Sequence, residues 1–178
     1  QERQLRALKK PLVNRGQIWF EAPGSFRWQI GDPPEAIAIQ NRKGELVILD
    51  PGRKTARRYT MEELREEGRA RGASFLEAGF PRTWEQFEKN FKLTETTLNN
   101  GVWEATVSIR DRKTSVALRK MIFYIDASTY DLRGFYLRFR DSSSITTGLT
   151  KTQKNPPPAV GRFEVDLGGY KVEEKEAG

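Results

Sequence analysis

The chain has no cysteine and no histidine. Without cysteine there is no disulfide framework and no thiolate chemistry. Without histidine the commonest general base and the commonest metal ligand are both gone. That excludes zinc sites and a Ser-His-Asp arrangement. Long hydrophobic runs are missing too: no stretch approaches the roughly 18 apolar residues of a membrane span. There is no phosphate loop, no Asp-rich metal motif, no internal repeat and no low-complexity tract. Apolar residues are modest at 37%, so a thin curved sheet is expected rather than a thick multilayer core.

What is present describes a globular protein. Its 178 residues fit one domain, 1–178, large enough to bury a core without staples. Ten Phe, five Tyr and four Trp are too many for a disordered chain. The formal charge of +7, from 31 Lys+Arg against 24 Asp+Glu, favours anionic partners or simply solubility. Basic residues cluster at Arg53-Lys54 with Arg57-Arg58, and at Arg133, Arg138 and Arg140. The first residue is Gln1 rather than Met, so a processed signal peptide is expected upstream.

The chain reads as strands with frequent turns. Arg15 to Glu21 and Ser25 to Ile30 flank Pro23-Gly24; Phe26, Trp28 and Ile30 alternate with Arg27 and Gln29. Ala36–Gln40, Glu45–Asp50 and Lys54–Tyr59 follow, separated by Gly31-Asp-Pro-Pro34, Asn41-Arg-Lys-Gly44 and Pro51-Gly52. Turns this frequent leave no room for crossover helices, which predicts an antiparallel meander.

A helical insertion of about 60–91 interrupts it. Thr60-Met-Glu-Glu63 and Thr83-Trp-Glu-Gln86 are capping boxes. Gly68, Gly72 and Gly79 loosen this insertion, as expected of a mobile lid. Strands resume after Lys92: Asn99-Asn-Gly101 predicts a hairpin, followed by strands over 102–110, 115–125, 132–140, 143–154 and 161–167. The start, 1–10, suits a helix or a basic edge strand equally, and the tail from Lys171 is expected to fray. Some ten or eleven strands in one sheet curl strongly. Their apolar stripes suit a packed core or a lidded cavity.

Gly16-Gln-Ile-Trp-Phe-Glu-Ala-Pro-Gly-Ser-Phe-Arg-Trp28 resembles the strand pair of the LolA-like outer-membrane lipoprotein carriers. Ile37–Ile39, Gly44, Leu46–Leu49 and Asp50-Pro51 are similar to the family's next element. Ile122–Ile125, Phe135–Phe139, Asn155 and Phe163 match its C-terminal layout. The resemblance implies a mainly β (α+β) fold: a half-open antiparallel barrel of about eleven strands with a helical lid inserted mid-chain. It implies a periplasmic carrier that shields lipoprotein acyl chains, acting between an inner-membrane release complex and an outer-membrane acceptor.

The expected cavity residues are Ile18, Phe20, Phe26, Trp28, Ile37, Ile39, Leu46, Ile48, Phe135, Leu137 and Phe139. The expected lid residues are Phe75, Leu76, Phe80, Trp84 and Phe87. Family members carry an Arg just before the motif's Pro, which latches the lid; here that position is Ala22. A monomer is expected, with no cofactor and no metal.

Two alternatives remain in the same fold: another amphiphile or a glycolipid as cargo. An enzyme reading fares worse, because Glu62, Glu63, Glu66 and Glu67 sit beside arginines as solvated helix pairs, and Ser142–Ser144 lack a base. Basic residues beside aromatics over Tyr136–Arg140 suit nucleic acid, yet none of its binding motifs occurs and no nucleic-acid partner is expected.

Overall fold

The computed structural model describes residues 1–6, 9–21, 25–43, 45–59, 84–110, 118–157 and 159–173. The chain divides into two compact units, each assembled from two separated stretches: Gln1–Val13 with Glu67–Pro156, and Asn14–Glu66 with Pro157–Gly178. They are called unit 1 and unit 2 below.

Unit 2 holds β3 (Gly16–Glu21), β4 (Ser25–Ile30), β5 (Ala36–Gln40), β6 (Leu46–Asp50), β7 (Thr55–Tyr59) and β13 (Lys171–Glu173). They form one sheet in the order β13-β7-β6-β5-β4-β3. Every pairing is antiparallel except β13 on β7, which is parallel. Gly16 opens β3 for a steric reason: a Cβ there would meet the Gln29 carbonyl oxygen across the ladder at 2.1 Å.

Unit 1 holds β1 (Glu2–Gln4), β2 (Leu12–Val13), α1 (Trp84–Asn90), β8 (Phe91–Asn99), β9 (Val102–Ile109), β10 (Leu118–Asp126), β11 (Leu132–Phe139) and β12 (Ser144–Gly148). Its sheet runs β2-β1-β12-β11-β10-β9-β8, antiparallel throughout. Asn100 and Gly101 turn β8 into β9 with φ of 48° and 77°. Positive φ at both central residues is what a two-residue hairpin requires, and Asn-Gly supplies it cheaply. Met121 is wholly buried, with Phe91, Val107, Leu118, Phe135 and Leu137 also in the core. In α1, Glu85 in the first turn and Lys89 in the last complement the helix dipole.

The fold is mainly β, as expected, but its strands are parted between two sheets. Of the two readings of the start, the strand is the one found, as β1. The helix ends at Asn90, within a residue of the expected end. Two expectations are corrected. The expected strand 143–154 ends at Gly148. The last strand is not 161–167, which forms turns and irregular chain, but Lys171–Glu173, where fraying was expected. The expected helix over 60–78 lies outside the described residues.

Asp126 organises the β10–β11 turn. Its carboxylate accepts from the Ser128 hydroxyl at 2.6 Å, from the Ser128 and Thr129 amides at 2.9 Å, and from Arg133 at 2.6 Å. The Ser128 hydroxyl and then Arg133 hold this carboxyl well below the usual carboxylate range. A depressed folded pKa stabilises above the unfolded value of about 3.9 and is lost as pH falls through the folded value. Asp126→Asn is therefore expected to lower the melting temperature at pH 7, with the gap to wild type narrowing in melts at pH 3. An equal gap at both pH values contradicts this.

Candidate functional site

In an antiparallel ladder, directly paired residues share a face, so register assigns every side chain of the unit 2 sheet. One face carries Trp19, Arg27, Ile37, Ile39, Val47, Leu49 and Ala56. Ile37, Ile39, Val47, Leu49 and Ala56 form a buried cluster, against which Val165, Leu167 and Tyr170 pack. The same C-terminal stretch reaches Arg27, whose Nη1 donates to the Arg162 carbonyl at 3.3 Å and whose Nε donates to Gln29 Oε1 at 3.1 Å. The Arg162 guanidinium lies 5.6 Å from the Trp19 ring centroid. Burial lowers the Arg27 pKa, partly offset by the charge interaction with Tyr170. This face is closed by the chain itself.

The other face is different. Two cross-strand rows run over it from β3 to β7: Ile18, Trp28, Ala38, Ile48, Arg57 and Phe20, Phe26, Gln40, Leu46, Tyr59. Ile30 and Ala36 pair in a third. Phe26 and Leu46 are buried, Ile18 and Trp28 half-buried, while Phe20 keeps 46% and Ile48 37% of their surface exposed. On β5 this face presents only Ala36, Ala38 and Gln40. Ala38 lies between Trp28 on β4 and Ile48 on β6, and Gln40 between Phe26 and Leu46, so β5 presents a small side chain between two large apolar ones. At a strand spacing of about 4.8 Å, β4 and β6 stand roughly 10 Å apart across it. At the β7 side, the Arg57 guanidinium sits 5.5 Å from the Tyr59 ring centroid and donates to its hydroxyl at 3.4 Å.

Six of the expected cavity residues thus stand together: Ile18, Phe20, Phe26, Trp28, Leu46 and Ile48. Ile37 and Ile39 do not join them; they point to the covered face. In unit 1, Phe135 pairs with Phe123, Leu137 with Met121 and Phe139 with Leu118. Phe135 and Leu137 are buried and Phe139 half-buried. Of the expected lid residues, Trp84 and Phe87 belong to α1, and the Phe87 ring lies 5.5 Å from that of Phe91 at 34°. Phe75, Leu76, Phe80 and the latch position Ala22 lie outside the described residues. Sequence reasoning did not single out the small residues of β5 on this face. Their signal is the alternation Ala36-Ile37-Ala38-Ile39, small residues on one face and branched ones on the other.

Among the described residues no group of three or more acidic side chains is placed to hold a metal, and no helix is long and apolar enough to cross a membrane. The face offers apolar contact and one cation–π pair.

The model of the family described as outer membrane lipoprotein carrier protein LolA matches residues 1–166. No curated protein matches the sequence. Among solved structures, the chain is similar to a domain named as an outer membrane lipoprotein-sorting protein from Vibrio parahaemolyticus. The identity is 13% and the TM-score 0.41, covering 86% of this chain and 70% of that one.

The two isoleucines flanking the sheet's mid-plane give a direct test of the face assignment. Ile39, at 1% exposure, is expected to cost about 2–5 kcal/mol when cut to Ala. Ile48→Ser is expected to stay within about 0.5 kcal/mol of wild type. Urea denaturation of both variants checks this; similar losses contradict the assignment.

Proposed function

Because the chain belongs to the outer membrane lipoprotein carrier protein LolA family, we propose that it carries lipoprotein acyl chains on the open apolar face of unit 2, seated in the furrow along β5. The observation that supports this most is the pairing of Ala36 and Ala38 with aromatic and aliphatic walls on a face left partly exposed. Exposed apolar surface of this kind marks a binding site rather than a stability device. A row of backbone-near alanines between larger side chains accepts a flexible chain lengthwise. The lining residues are Ile18, Phe20, Phe26, Trp28, Leu46 and Ile48.

The binding is physical, with no bond made or broken. Each methylene withdrawn from water contributes about 0.8 kcal/mol, so ten contribute roughly 8 kcal/mol gross. Lost translational and conformational freedom subtracts several kcal/mol from that. One short chain is therefore held reversibly, and two chains considerably tighter, which suits a carrier that must also release. In this reading the protein works in the periplasm, between an inner-membrane release complex and an outer-membrane acceptor. It works as one domain, because the polypeptide enters unit 1, passes to unit 2, returns and passes over again.

A hydrophobic fluorophore such as N-phenylnaphthylamine tests the proposal. Wild type is expected to take it up, and a diacyl lipopeptide is expected to displace it. Ala38→Phe fills the furrow without touching the covered core, and Trp28→Asp places a charge in its wall. Each is expected to weaken uptake at least about tenfold with the folded CD spectrum retained, since a buried unpaired charge or a filled site costs over 1.4 kcal/mol. Wild-type uptake in both folded variants, or none in wild type, overturns the proposal. Displacement by a glycolipid but not by the lipopeptide keeps the furrow and changes the cargo.

A further inference from the structure

Unit 1 carries a second concavity that the carrier reading does not use. It is a half-open groove of about 440 Å³ where β9 ends and β10 begins. Its apolar floor includes Val107, Leu118 and Met121, all buried. Its rim includes Arg119, Lys120 and Arg140, all exposed.

Two features set these cations apart from scattered surface charge. First, the β10–β11 ladder shifts register between Leu118 and Lys120, so Arg119 is the extra residue of a bulge. A bulge re-aims side chains and adds local twist. Arg119 and Lys120, at the bulge, both line the groove. Second, neither Arg119 nor Lys120 forms an ion pair or side-chain hydrogen bond among the described residues.

The geometry points to a subsite for the anionic phosphodiester headgroup of an amphiphile, with the glycerol and first methylenes on the apolar floor. A floor of Val, Leu and Met has little to offer a fully hydrated free anion, which keeps its water. An amphiphile satisfies both parts, since its charge meets the rim and its apolar start covers the floor. The role differs from that of the unit 2 furrow, which offers aromatic and aliphatic walls.

Dihexanoyl-phosphatidylglycerol, dihexanoyl-phosphatidylcholine and inorganic phosphate are the probes, each titrated below its aggregation threshold into the full chain. The readout is the amide NMR shifts of Val107 and Met121. The phosphatidylglycerol is expected to shift them and to bind at least about tenfold tighter than the zwitterionic lipid with the same tails. Inorganic phosphate is expected to be weaker again. The double variant Arg119→Gln, Lys120→Gln changes only exposed side chains and is expected to bring the two lipids to the same affinity. Raising salt is expected to narrow their difference, as it does for exposed charges.

Equal binding of the two lipids in wild type overturns the inference, as do unshifted amides at Val107 and Met121 or an unchanged preference in the double variant. Phosphate binding as tightly as phosphatidylglycerol also overturns it, by making the site one for free anions. Fluorophore uptake is measured in parallel on the same samples. Its loss with the groove shifts intact sinks the carrier reading alone, and its persistence without groove shifts sinks this one alone.

Discussion

A β-sheet has two faces, and in unit 2 both are apolar. That is the constraint on which the rest of the molecule turns. Ladder hydrogen bonds satisfy the backbone, but they do nothing for the side chains that alternate above and below it. One face must be covered for the sheet to be stable in water. The C-terminal stretch supplies that cover with Val165, Leu167 and Tyr170, and pins itself through Arg162 to Arg27 and Trp19. Its last described residues then join the sheet as β13 beside β7. Stability is thus concentrated on the Ile37, Ile39, Val47, Leu49 and Ala56 side. The other face is left with partly exposed large apolar groups.

The same contrast explains why Ala36 and Ala38 matter. Were β5 to present large residues on both faces, the open side would pack flat against whatever approached it. With alanines on one side and isoleucines on the other, a single strand anchors the core on one face and presents small side chains on the other, where the carrier reading seats its cargo. No extra element is needed, only a difference in side-chain size at the two phases of one strand. Unit 1 uses its sheet differently. Its buried face closes on Met121, Phe135 and Leu137, and its distinctive chemistry sits at a strand end, where cations line a groove beside a bulge.

Much of the strand pattern was legible in the sequence because it is local. β3 to β7 fall within a residue of their expected bounds, since period-two alternation and turn dipeptides such as Pro51-Gly52 both act over a few residues. The β8–β9 hairpin was legible for the same reason, through Asn100-Gly101. What was not legible is which face each apolar residue takes. Phe26, Trp28, Ile37 and Ile39 look like one greasy set when each strand is read alone. The loop between β4 and β5 sets Ile30 against Ala36, which places Trp28 opposite Ala38 and leaves Ile37 opposite Gln29. A one-residue change in that register would have put all four together. Register across a loop is a property of two strands and a turn, and no single-strand pattern carries it.

The C-terminal stretch fails to be legible for a related reason. Phe163, Val165 and Leu167 alternate as a strand would, yet they belong to irregular chain that is ordered by what it covers. Alternation reports that side chains are sorted between a wet side and a dry side. It does not report whether the dry side is made by a ladder partner or by the face of a sheet underneath. Tyr170 and Lys171 show the step between the two modes. At Tyr170 the chain is still packing on the core, and at Lys171 its amide donates to the Lys54 carbonyl as it enters the sheet. Covering one face and extending the ladder are thus done by one continuous stretch.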